Sequence, residues 1–218
     1  MFQRDYIIRM TEMLAAALAK IILNKDKKNY SEAELEIESA SKTIAGLDLK
    51  LISIFSPEDL LNLMKSSDLF AGKCIVSAEL LNEYAFVKEM KNEADTSNTL
   101  YVKSLMLYLE AVLSGELPDN SVYFPKMNFI ISKLKDIEFS ETIKFSLLEY
   151  FSMSGQYSKF EDTVFEMIDN GNSEALDRAV KFFESLKNKS DAELLNGNLT
   201  RDEVEESLGE ILILKKNN

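Results

Sequence analysis

Apolar side chains recur three and four residues apart along almost the whole chain, the period of helices that bury one face. The clearest case is the stretch from Ser140 to Asn172. Phe145, Leu148, Tyr150 or Phe151 and Met153 keep this spacing up to Gly155, and Phe160, Val164, Phe165, Met167 and Ile168 resume it after Tyr157. A glycine can turn left-handed past a helix end, so Gly155 predicts that the second helix folds back on the first.

The same pattern predicts a helix from about Arg4 to Leu23. Ile7, Met10, Leu14, Ala17 and Ile21 form a narrow heptad-like seam, and Tyr6, Met13, Leu18 and Ile22 widen the apolar surface beyond it. Asn24 to Tyr30 reads as a polar loop. Ser31 with Glu34 reads as a capping box opening a second helix, which buries Ala33, Ile37 and Ala40 and ends at Gly46. Its Glu32, Glu34, Glu36 and Glu38 read as a solvated face rather than a metal site. A short apolar connector spans Leu47 to Phe55. Ser56-Pro57-Glu58-Asp59 opens a helix that stops near Ser66, because it joins a capping hydroxyl, a first-turn proline and acids facing the dipole. Long helices are predicted from Asp68 to Asn92 and, capped by Asp95-Thr96-Ser97, from Asn98 to Ser114. Leu117 to Phe124, punctuated by Pro118 and Pro125, is the least helical stretch and suggests a soft division near 115–125 within one domain covering 1–218. Further helices carry Met127, Ile130 and Leu134, then Leu176, Val180, Phe183 and Leu186. The last holds Val204, Leu208 and Ile211, and Ser190 with Glu193 and Thr200 with Glu203 form two more capping boxes. The expected core includes Leu14, Ala33, Ile37, Ala40, Ala78, Leu81, Leu148, Phe160, Val164, Val180 and Leu208.

Two blocks match the second half of a tetratricopeptide unit: Asn29-Tyr30-x-x-Ala33 running on to Ile37 and Ala40, and Gly155-Gln156-Tyr157-x-x-Phe160 running on to Val164 and Met167. Ser104, Tyr108 and Ala111 keep the spacing without the turn signal. The units depart from the regular period of about 34 residues. The fold class expected is therefore all-α, an array of antiparallel helical hairpins, tetratricopeptide-like with irregular repeats and about ten to twelve helices. The whole chain also resembles a bacterial domain-of-unknown-function family. The resemblance is carried by Met1-Phe2-Gln3-Arg4-Asp5-Tyr6-Ile7-Ile8-Arg9-Met10, Asn29-Tyr30-Ser31-Glu32-Ala33, Gly155-Gln156-Tyr157 and Leu199-Thr200-Arg201-Asp202-Glu203-Val204-Glu205. It implies an all-helical, repeat-like protein and attaches no activity.

Composition narrows the chemistry. The 218 residues include no His, one Cys and a net charge of −12. Serine–histidine triads, His-ligated zinc and intrachain disulfides are thereby excluded. The acidic balance argues against nucleic acid and anionic lipid as partners. Cys74, among Ile75, Val76 and Ala78, reads as a small core residue, and a single cysteine fits a cytoplasmic location. Arg9 and Glu12 interrupt the apolar run that a signal peptide needs, and with Lys20 they exclude a membrane span. No Gly-rich phosphate loop is present. Ser39-x-x-Lys42 and Ser132-x-x-Lys135 lack companion motifs, and Asp169-Asn170-Gly171-Asn172-Ser173-Glu174 reads as a helix end followed by a capped start rather than a calcium loop. Thr142, Phe145, Ser146 and Glu149 stand where a tetratricopeptide carboxylate clamp would need Lys and Asn.

The functional expectation is a non-catalytic protein-interaction or scaffold module with no cofactor and no metal. Two alternatives stand beside it: a structural homo-oligomer built on the first helix, and a carboxylate- or metal-dependent enzyme. The first helix is either covered by later helices or is a partner or homodimer interface through Tyr6, Ile7, Met10, Met13, Leu14, Ala17 and Ile21.

Overall fold

The computed structural model describes the backbone of residues 2–65 and 69–217, and their side chains except those of residues 2–8, 50, 53 and 217. Among the described residues it is helical with no strand. The chain divides into two compact units, Met1–Glu138 and Phe139–Asn218. The Leu117–Phe124 stretch, where a soft division was expected, lies inside the first.

The first unit contains α1 (Phe2–Asp26), α2 (Tyr30–Ala40), which runs into a single π turn (Ser41–Ala45), α3 (Leu49–Ile54) and α4 (Pro57–Lys65). Then come α5 (Phe70–Met90), α6 (Ala94–Leu113), a 3-10 turn (Ser121–Tyr123) and α7 (Phe124–Lys133). The ends expected at Ser66 and Asp68 lie outside the described residues. Helices α5 and α6 are its centre. Each buries side chains on nearly every face, Ala71, Cys74, Ala78, Leu81 and Ala85 on one and Leu100, Leu105, Leu107, Tyr108 and Ala111 on the other. Small residues at the crossing let serine hydroxyls span it. Ser104 Oγ donates to the Ala78 carbonyl at 2.7 Å and Ser97 Oγ to the Ala85 carbonyl at 2.8 Å. Lys103 is only 1% exposed, and its Nζ donates to the Ile52 carbonyl at 2.8 Å, tying α3 to α6. Burial holds its pKa below the ordinary lysine value.

The second unit contains α8 (Glu141–Ser154), α9 (Tyr157–Asp169), α10 (Ser173–Leu186), α11 (Asp191–Asn196) and α12 (Arg201–Asn217). Its core is aromatic: Phe160 and Phe182 stack with centroids 3.5 Å apart, and Tyr157 meets Phe182 edge-on at 5.9 Å. Val180, expected in this core, is only half-buried, because α10 turns Ala179 and Phe183 inward instead.

One turn device recurs in both units. Lys28, Asn92, Gly155, Gly171 and Asn198 have φ of 59°, 61°, 70°, 85° and 58°. The amide that follows each returns to a carbonyl of the finished helix: Asn29 to Asn24 at 2.8 Å, Glu93 to Lys88 at 2.9 Å, Gln156 to Phe151 at 2.9 Å, Asn172 to Met167 at 3.0 Å and Leu199 to Leu194 at 3.0 Å. This Schellman closure satisfies orphan carbonyls and reverses the chain within a few residues. The capping boxes at Ser190–Glu193 and Thr200–Glu203 form as expected. The one expected at Ser31–Glu34 does not. Helix α2 starts earlier, at Tyr30, and Glu34 points to α5.

Candidate functional site

Helix α1 carries the residues that sequence singled out. Three of the seam, Met10, Leu14 and Ile21, are buried within the chain, with Met10 lying against Gly72 of α5. Ala17 is half-buried, and the side chains of Tyr6 and Ile7 lie outside the described residues. Met10, Leu14 and Ile21 therefore face inward, where α2 and α5 cover them. What stays open is the opposite side of the same helix. Ile22 is 47% exposed, Leu23 53% and Met13 38%, with Ala15, Ala16 and Ala19 exposed between them. Met13 and Ile22 were legible as apolar positions off the seam. Leu23 was not, because it sat at the predicted helix end and α1 runs one turn further.

One partly buried charge cluster holds α1 to α5, and a second holds α2 to α5 beside it. Lys25 Nζ pairs with Glu83 of α5 at 2.5 Å and lies 4.0 Å from the centre of the Phe86 ring. From α2, Glu34 accepts from Lys88 at 2.7 Å, Lys91 at 2.7 Å and the Tyr84 hydroxyl at 3.0 Å, all on or just past α5. Burial alone would raise the Glu34 pKa, but these donors outweigh it and hold the carboxyl at about 2. Glu34 is thus an anchor, not part of a solvated face. Between α1 and α2 runs an open groove of about 230 Å³ floored by Ala17, Ala40 and Ile44 and edged by Met13 and Ala16. Lys20 and Glu36 span it at 3.7 Å. Alanines make the groove, since they leave a trough where larger side chains would fill it.

The second unit holds a larger open groove, about 590 Å³, between α8 and α10, lined by Leu148, Phe160, Phe182, Arg178 and Lys181. Arg178 lies over the Phe145 ring at 4.4 Å and pairs with Glu149 at 2.7 Å and Glu174 at 3.0 Å. Its charge is met by acids of the chain itself, so this face does not present a free carboxylate clamp.

The remaining chemical candidates have structural duties. Cys74 is fully buried, and burial, with Glu110 and Glu116 nearby, pushes its thiol up to about 12, far from a reactive thiolate. Lys42 pairs with Asp48 at 3.3 Å, and Ser132 Oγ donates to the Phe129 carbonyl. Asn172 accepts the Ala175 amide at 3.0 Å as the cap of α10, as the helix-start reading required. Among the described residues no three acids or thiols converge to hold a metal ion. No helix among them is long and apolar enough to cross a membrane.

Comparison with known proteins adds a family. The profile described as a family of unknown function, DUF6483, matches residues 1–216. The chain belongs to this family. The chain is also similar to a stretch of the uncharacterized membrane protein YobI of Bacillus subtilis strain 168, 26% identical over 215 residues. That match takes in 88% of this chain and 17% of the relative, so the chain spans about one sixth of that protein's length. No solved structure matches.

Proposed function

We propose that this DUF6483 chain is a non-catalytic protein-interaction module, acting in the cytoplasm, and that it docks a protein through the outward face of α1. The observation that carries this reading is the run of exposed Met13, Ile22 and Leu23 around a strip of alanines on a helix whose Lys25 is anchored to Glu83 of α5. Exposed apolar surface costs roughly 25 cal/mol per Å² in water, and a rigid apolar face rimmed by charges is the form interaction sites take. The likeness to one stretch of a much longer protein supports the word module. The sequence spacing at 29–40 and 155–167, which resembles tetratricopeptide units, an architecture whose repeats commonly carry binding surfaces, supports it too.

The test is capture from native bacterial lysate by the immobilised chain, run beside the variant Ala19→Glu. Ala19 is exposed and glutamate is a good helix former, so the variant keeps its fold, which circular dichroism checks. The expected result is a protein retained by the wild type and lost from the variant. Identical captured sets would end this reading.

A further inference from the structure

The outward face of α1 has an internal symmetry. Arg9, Glu12, Ala16, Ala19, Leu23 and Asp26 follow one another at spacings of three, four, three, four and three, the stripe of a heptad seam, and all six are exposed. Reversed end to end about a point between Ala17 and Leu18, the stripe maps onto itself: Arg9 falls opposite Asp26, Glu12 opposite Leu23, and Ala16 opposite Ala19. The outer pair has opposite signs, the inner pair is small enough for two backbones to approach closely, and Leu23 meets the aliphatic stem of Glu12. On the flank, Ile22 falls beside Ala15. Among the described residues Arg9, Glu12 and Asp26 make no ion pair within the chain, so their charges remain for a second molecule.

We infer that the occupant of this face is a second copy of the same chain, with the two α1 helices packed antiparallel about a two-fold axis beside Ala16 and Ala19. This rests on reading the α1 face as an interface and adds who sits there and in what register. A parallel arrangement would set Arg9 against Arg9 and Asp26 against Asp26. The antiparallel one turns both clashes into attractions. The stripe runs about 25 Å along the helix, at about 1.5 Å per residue. Six stripe residues per copy fall short of the roughly 20–30 a side of a standard interface, so the dimer should be weak and reversible, dissociating at roughly 1–100 µM.

Sedimentation equilibrium of the purified chain across that range tests this directly. The wild type is expected to pass from monomer to dimer with rising concentration, and Ala19→Glu, which sets carboxylates against each other at the axis, to stay monomeric with an unchanged helical spectrum. Register is tested by charge exchange. Arg9→Glu alone and Asp26→Arg alone should each weaken association roughly threefold or more, and the double exchange should restore it, since the outer pairs are then re-formed with signs reversed. Monomeric wild type at the highest concentration, or a double exchange no tighter than either single change, overturns the proposal. The two readings fail separately. If the wild type is monomeric while Ala19→Glu still loses a lysate protein, the face is an interface for another partner. If captures are also identical, the interface reading falls with the dimer.

Discussion

Gly155 and Gly197 sit in one corner of the second unit and are glycine for opposite reasons. At Gly155 φ is 70° and an added Cβ would meet nothing within 4 Å, so only backbone strain opposes a side chain. At Gly197 φ is not positive, but a Cβ would lie 2.7 Å from the Tyr157 ring Cγ and 2.9 Å from the Gly155 carbonyl oxygen. The Ser158 amide donates to the Gly197 carbonyl at 3.0 Å, so neither backbone can easily retreat. Gly155→Ala should therefore cost about 1 kcal/mol. Gly197→Ala should cost more, about 2–3 kcal/mol, through overpacking. Urea unfolding of both variants checks the order, and a Gly197→Ala no worse than Gly155→Ala would mean that the corner is loose. The Gly155 turn was legible because a glycine stands where the turn is. The same closure at Lys28 was not, because lysine has no preference for the left-handed region, and at Asn92 and Asn198 asparagine marks it more weakly than glycine does.

Among the elements, the sequence was informative about faces and less so about ends. Helices α2, α5, α8 and α9 bury the residues their periodicity picked out: Ile37, Ala78, Leu81, Leu148, Phe160 and Val164 are all in the core. The start of α6 was placed late. Asp95, Thr96 and Ser97 look like caps, yet the helix opens at Ala94, and the Ser97 hydroxyl is used on α5 instead. The Ser31–Glu34 box failed for the same reason, since local chemistry does not reveal a tertiary partner that outbids the cap. In α10 the phase slipped because Ala179 carries little apolar weight in a pattern but fits closely in a core. The candidate face of α1 was half legible: its surplus apolar positions could be counted, but which side α2 and α5 would take could not.

The Glu34 anchor joins α2 to α5 and gives that junction a pH dependence. The carboxyl sits at about 2 in the folded chain against an ordinary value of 4.5. A lowered folded-state pKa adds stability that is complete above the ordinary value and disappears as pH falls through the folded one, so the loss lies between about 4.5 and about 2. Glu34→Gln leaves Lys88 and Lys91 without their shared acceptor and should cost on the order of 2 kcal/mol at neutral pH. Its urea midpoint should also fall less steeply than the wild type's on acidification through that window. Parallel curves would show that the junction draws nothing from the ion pairs.

At the scale of the whole molecule the two units have separate cores, one built on α5 and α6 and the other on stacked aromatic rings. A fragment covering 139–218 should accordingly keep its helical spectrum and melt in one cooperative transition, despite its small size. A fragment that melts without cooperativity would show that its core needs the rest of the chain. The first unit offers a different opportunity in Lys103. An amine this deeply enclosed is out of reach of water-soluble acylating reagents, whereas exposed lysines such as Lys20 react at once. Mass spectrometry after a timed pulse of an amine-reactive ester should find Lys103 marked only in molecules that have opened the α3–α6 junction. Its rate of marking, divided by that of a free lysine, then gives the fraction of time the junction stands open. The chain thus carries an internal clock for its own breathing, readable without changing a residue.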